Sequence, residues 1–209
     1  MTDDYDDCEK ITFLLIGNFY AGRTLIIERF LNNKCLTDRY KVSIQDFYKK
    51  KISINQRNFC LLFFIPTSSE RFRLLPRSLF KQADICIFVF DINDEYTFSE
   101  IKNFWFPQLE NAPNNNLILA LVGNESDLSD YNKIDDSEII NYAKLINVKY
   151  FKVSSFTGEG INELFEDLIK TFCELNDKKH NENKNQIIKI EKKDMKVKKR
   201  KFVNKFIFL

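Results

Sequence analysis

Gly17-Asn18-Phe19-Tyr20-Ala21-Gly22-Arg23-Thr24 follows directly on an apolar run, Ile11–Ile16. Glycine, four residues, glycine, a cation and a hydroxyl is the spacing of a phosphate-binding loop, with Arg23 where lysine is usual. The glycines let the backbone fold around an anion, and the loop amides and the following helix N-terminus point at it. In that reading Gly17, Tyr20, Ala21, Gly22, Arg23 and Thr24 hold phosphate, and Thr24 offers its hydroxyl to magnesium. Arginine keeps the charge but replaces a compact ammonium with a broad planar fork. An ordinary strand–turn–helix junction shares the bare pattern.

Such a loop needs a buried strand before it and a helix behind it. Six strand candidates occur, at Ile11–Ile16, Tyr48–Ile54, Phe59–Ile65, Asp84–Phe90, Leu117–Gly123 and Lys149–Val153. Several are continuous apolar runs, as strands covered by helices on both faces are. Between them, apolar residues recur at helical spacing: Leu25, Ile26 and Phe30; Phe98, Ile101, Trp105 and Leu109; Ile139, Ile140, Ala143 and Leu145; Leu164, Phe165, Leu168 and Phe172. Ser137 is placed to cap the third of these. Alternating strands and helices predict an α/β fold with a mostly parallel six-stranded sheet and helices on both faces. The short polar link Asn55–Asn58 predicts one hairpin, hence a mixed sheet.

In order along residues 10–175, the chain resembles the Rab branch of the Ras-like small GTPases, which have a P-loop fold. Ser43-Ile44 resembles the first switch, and Glu70-Arg71-Phe72 the residues behind the second. Phe90-Asp91 and Tyr96-Thr97-Phe98 resemble the fourth strand and its exit. Gly123-Asn124-Glu125-Ser126-Asp127-Leu128 resembles the guanine-reading segment, and Ser154-Ser155-Phe156-Thr157-Gly158 the loop that closes over the base. The resemblance implies GTP or GDP as ligand, with Asn124, Asp127, Ser154, Ser155 and Phe156 at the base. It also implies Mg2+ held by Thr24 and Ser43.

Each motif departs from the family. Where the second switch has Asp-Thr-Ala-Gly-Gln, this chain has Ile65-Pro66-Thr67-Ser68-Ser69. Ile65 cannot support a magnesium shell, and Ser69 is too short to orient water as the glutamine does. Ser68 restricts a backbone position that the family gives to glycine, and Pro66 removes an amide donor. No catalytic residue is therefore assigned, and hydrolysis is expected to be very slow or absent. Asp127 keeps the carboxylate that accepts from guanine's two adjacent N–H groups. Glu125 and Phe156 replace lysines, and Phe156 can stack on a base. Outside the resemblance, Asn124 and Asp127 also suit a simple turn after a strand.

The 209 residues suit one domain and a tail, and 44% hydrophobic content with 21 Phe is ample for a core. The expected division is an acidic extension over 1–9, the domain over 10–175 and a basic tail over 176–209. That tail carries 12 Lys or Arg against 4 Asp or Glu; with +2 for the whole chain, the rest carries about −6. Lys196–Lys201 followed by Phe202, Val203 and Phe206–Leu209 suits reversible contact with an anionic membrane. A solvated extension and a docked helix suit it equally. No cysteine follows Cys173, so no prenylation signal is expected. Five scattered cysteines lack metal-ligand spacing, and Cys60 and Cys86, within apolar runs, are expected to be small hydrophobes. Without an apolar stretch near the roughly 18 residues of a span, the chain reads as cytosolic.

Two functions are expected from different classes. One is a Rab-like regulator of intracellular traffic that binds guanine nucleotide without efficient turnover and meets effectors through residues 40–80. The other is a nucleotide-free pseudo-GTPase scaffold. No motif points to nucleic acid.

Overall fold

In the computed structural model the described residues are 8–32, 47–54, 56–66, 74–111, 116–131 and 133–179. The chain divides into two units, Met1–Ile169 and Lys170–Leu209. The strands of the first are β1 (Glu9–Gly17), β2 (Phe47–Ile54), β3 (Arg57–Phe64), β4 (Ile85–Asp91), β5 (Ile118–Asn124) and β6 (Lys149–Lys152). They form one sheet in the order β2-β3-β1-β4-β5-β6. Only β2 and β3 pair antiparallel, across a hairpin whose last partners are Ile54 and Arg57. The link is thus tighter than the polar residues alone suggested, because Gln56 turns the chain at φ 65°.

The helices are α1 (Arg23–Asn32), α2 (Arg77–Gln82), α3 (Glu95–Glu100), α4 (Asp136–Leu145) and α5, residues 161–169. α3 continues through a π-helical turn at Ile101–Trp105. In the second unit, residues 170–179 are helical. No helix among the described residues is long and apolar enough to cross a membrane.

Strand alternation divides the core between the sheet's two faces. On one face Phe13 of β1 stacks on Phe63 of β3, and Phe30 of α1 stacks on Phe165 of α5 with ring centres 4.1 Å apart. On the other, Leu14, Ile16, Phe88, Phe90 and Leu121 meet Phe80 of α2, Phe98 of α3 and Ile139 of α4. Because both faces are covered, the central strands read as unbroken apolar runs.

Three sequence expectations are corrected here. Cys60 is not a lone apolar thiol: it is bonded to Cys8, with Cα atoms 5.7 Å apart. The cause is the parallel register of β1 and β3, which sets Lys10 beside Cys60. Cys86 is free and buried, as expected, and burial pushes its thiol pKa up. Asp135, not Ser137, caps α4, accepting from the Ser137 amide at 2.9 Å, since an Asp side chain two residues back reaches that donor. On α4, Ile139 and Ala143 are buried, but Ile140 and Leu145 are 41% and 81% exposed, so the apolar stripe is one residue wide.

Glu28 is a buried carboxylate that no motif marks. It lies on α1, and Tyr48 of β2 donates to its Oε1 at 3.3 Å. Burial pushes its pKa up, and the Tyr48 bond pulls the other way. A carboxyl raised on folding favours the native state below its unfolded pKa and forfeits that as pH rises through the folded value. Glu28→Gln is therefore expected to raise the melting temperature at about pH 8 and leave it unchanged at about pH 4. Thermal unfolding at both pH values checks the sign.

Candidate functional site

The carboxyl ends of β1, β4, β5 and β6 come together on one edge of the sheet. Gly17 lies beside Val89, Asp91 beside Asn124, and Gly123 beside Lys152. β1 leads by α1 towards β2 and β3 on one side, while β4, β5 and β6 lie on the other, so strand order reverses there. That is where a ligand crevice forms in α/β sheets.

The phosphate-loop candidates all stand at this edge. A Cβ on Gly17 would fall 2.1 Å from the Val89 carbonyl oxygen, so the glycine is needed for strand contact. The loop turns through Ala21 N–H to Asn18 O at 3.3 Å and enters α1 with Ile26 N–H to Gly22 O at 2.9 Å. Trp105 Nε1 donates to Asn18 Oδ1 at 2.7 Å and fixes the loop from the α3 side. Tyr20, at φ 68°, is 90% exposed and meets Phe19 edge-on. Ala21 is fully buried, and Thr24 is half-buried on α1.

Asn124 ties three segments together. Its Nδ2 donates to the Ala21 carbonyl and to Ser155 Oγ, both at 3.2 Å, and its Oδ1 accepts from the Ser155 amide at 2.9 Å. With no exposure at all, this amide is a buried polar group with every contact made. Beside it, Ser154 Oγ donates to Asp127 Oδ1 at 2.5 Å and accepts from the Thr157 amide at 2.9 Å. The Asp127 carboxylate is thus fixed in orientation at the mouth of the crevice. Phe156 is 55% exposed at the rim. A carboxylate held in this way can accept from a base with adjacent N–H groups.

Gly22 fits closely against that knot: at φ 83°, a Cβ there would come within 2.1 Å of Asn124 Nδ2. Gly22→Ala is expected to cost about 1–3 kcal/mol, from left-handed strain and displacement of the amide. Urea unfolding would measure it.

Two contacts had no motif to announce them. Arg29, nearly two turns along α1, donates Nε to Ser155 O at 3.2 Å and Nη2 to Phe156 O, clamping the candidate base loop to the helix behind the candidate phosphate loop. Asn93, after β4, donates Nδ2 to Asp91 Oδ1 and to Glu125 O, both at 3.1 Å. Glu125 itself takes φ 66°.

At the phosphate end the geometry is different. Arg23 is 8% exposed, and its Nη1 donates to Pro66 O at 2.9 Å, bridging the start of α1 to the exit of β3. Burial lowers its pKa to about 10, so it stays a cation at neutral pH. Ile65, next to that carbonyl, is 6% exposed and brings no oxygen ligand from its side chain. Among the described residues no three His, Cys, Asp or Glu gather as a metal site. Of the two hydroxyls expected to hold Mg2+, only that of Thr24 falls within the described residues. Ser43 and Ser69, the remaining expected site residues, lie outside the described residues, as do Thr67 and Ser68.

The Ras family model matches residues 12–174. The chain is similar to Ras-related protein Rab-21 of Bos taurus, 31% identical over 162 residues that cover 77% of this chain and 72% of that protein. It is 28% identical over 165 residues to Rab-21 of Dictyostelium discoideum, covering 78% and 77%. With RabG2 of the same organism the figures are 26% over 159 residues, 76% and 80%.

Proposed function

Because this chain belongs to the Ras family of small GTPases, we propose that it is a Rab-like regulator of vesicle traffic that binds guanine nucleotide and hydrolyses GTP very slowly or not at all. The observation that carries this is the buried Asn124 knot with its neighbour Asp127, which ties the candidate phosphate loop to the candidate base loop. Asn124, Asp127, Ser154, Ser155 and Phe156 read the base; Gly17, Tyr20, Ala21, Gly22, Arg23 and Thr24 face the phosphates. The domain over 10–175 works by binding effectors through residues 40–80, from the cytoplasm or the surface of an endomembrane. The basic tail over 176–209 gives reversible contact with anionic lipid through residues 196–209.

Impaired turnover follows from Ile65 and Ser69, which leave water without its orienting group. One observation favours the alternative, a nucleotide-free scaffold: Arg23 is turned onto the protein's own backbone at Pro66.

Protein purified under native conditions, then denatured, is expected to release stoichiometric GDP or GTP on chromatography, with no measurable phosphate release from added GTP. An empty protein to which neither nucleotide binds at millimolar concentration would leave the scaffold.

A further inference from the structure

We propose that the chain's own acidic start, residues 3–7, docks on Lys49 and Lys51 of β2 and is held there by the Cys8–Cys60 bridge, so that reducing the bridge uncovers the strand's positive charge. The contact needs no nucleotide and lies away from the Asn124 knot.

β2 is the outermost strand of the sheet, and Lys49, Lys50 and Lys51 follow one another along it. Strand alternation separates them. Lys50 turns to the α1 face, where its Nζ donates to Phe30 O at 2.6 Å. Lys49 and Lys51 are exposed on the other face, opposite Leu62 and Cys60 of β3, and line a cleft with them. Lysines on an edge strand already discourage pairing with a second sheet. What sets these two apart is where the acidic start of the chain is tied. Cys60, the residue opposite Lys51, is bonded to Cys8. A second tie runs to the same hairpin: Arg57 Nη2 donates to Glu9 Oε2 at 2.7 Å. Asp3, Asp4, Asp6 and Asp7 precede Cys8, with no Lys or Arg among residues 1–7. Five extended residues reach roughly 17 Å, whereas neighbouring strands lie about 4.8 Å apart and same-face residues along a strand about 7 Å. The bridge therefore keeps four carboxylates within reach of two ammonium groups, at a high effective concentration. A dithiol reductant releases them. Its thiolate attacks Cys8 Sγ, the S–S bond breaks, and Cys60 leaves as a thiolate that takes up a proton; the reductant's second thiol then displaces Cys8 as a thiol and closes the reductant's own disulfide. Attack falls on Cys8, because Cys60 is 2% exposed.

The test is the rate at which an amine-acylating ester labels Lys49 and Lys51 of the full chain, read by peptide mass spectrometry, with exposed Lys144 of α4 as the reference. Replacing Asp3, Asp4, Asp6 and Asp7 by Asn is expected to speed labelling of Lys49 and Lys51 at least about threefold, the scale of an exposed ion pair, and to leave Lys144 unchanged. Those four substitutions lie outside the sheet, and a thermal transition like the wild type's checks that the fold is intact. Cys8→Ser and the reduced wild type are expected to label at least about twofold faster than the oxidised wild type, since the effective concentration falls. At about 1 M salt the wild type is expected to approach the Asn variant, because screening then acts within about 3 Å. Equal rates in wild type and Asn variant at low salt would overturn the docking. A faster Asn variant beside an unchanged Cys8→Ser would overturn the part given to the bridge. Labelling of the wild type that slows as protein concentration rises would assign the lysines to a second copy of the chain and overturn the proposal as well.

Discussion

Asn124→Ala is expected to lower stability by about 2–4 kcal/mol and to weaken guanine-nucleotide binding by about 10–100-fold. The side chain is fully buried and makes three hydrogen bonds: two as donor, to Ala21 O and Ser155 Oγ, and one as acceptor from Ser155 N–H. Alanine leaves Ala21 O and the Ser155 amide without this partner in a setting closed to water. Each such group costs about 1–3 kcal/mol, whereas one net hydrogen bond is worth only about 1 kcal/mol. Asn124→Asp is expected to be at least as costly, because it keeps the acceptor, removes both donors and brings a carboxylate against the Ala21 carbonyl. Urea unfolding supplies the stability change and calorimetry with GDP the affinity. A variant that unfolds like the wild type and binds equally well would show that the knot does not organise the pocket.

Reducing the Cys8–Cys60 bridge is expected to lower stability by about 4 kcal/mol, the loop-closure entropy for its separation of 52 residues. At about 2–4 °C per kcal/mol for a domain of this size, the melting temperature falls by about 8–16 °C. The bridge ties the residue before β1 to Cys60 within β3, so it removes from the unfolded chain the freedom that β1–β3 pairing must otherwise overcome. Cys8→Ser is the cleaner variant, because Cys60 is 2% exposed and serine there would bury a hydroxyl. Thermal unfolding with and without reductant, beside Cys8→Ser, measures the effect. Equal melting temperatures in all three would mean that strand pairing alone sets this edge. Cys86 is not expected to exchange into the bridge, since burial keeps its thiol protonated and thiolate is the attacking species.

Much of the fold was legible because its signal is local. Ile85-Cys86-Ile87-Phe88-Val89-Phe90 reads as a strand without any partner in view, since a strand covered on both faces has no reason to alternate. The six strand candidates match β1 to β6 within two residues. The hairpin was legible from its short polar link, although its tightness depended on Gln56 taking a positive φ. Helix faces were less legible. Ile140 and Leu145 have the right spacing for a core stripe, but the sheet is flanked closely only along Ile139 and Ala143.

The chain's residue types by themselves determined where the phosphate-loop and base-reading candidates lie, and that Ile65 and Ser69 depart from the family. Chemistry of that kind is carried by residue identity and short spacing, which a linear string preserves. Only the tertiary structure decided what those residues touch. Asn124 lies 103 residues from Ala21 and 31 from Ser155, and it meets both only because β1, β5 and β6 end at one edge of the sheet. Arg23 reads as a cation of altered shape in lysine's place, and only the fold shows its long planar side chain reaching Pro66, 43 residues away. Cys8 and Cys60 read as isolated thiols until the parallel pairing of β1 and β3 brings them within bonding distance. In all three, the deciding contact depends on strand order, a non-local property that no spacing along the chain encodes.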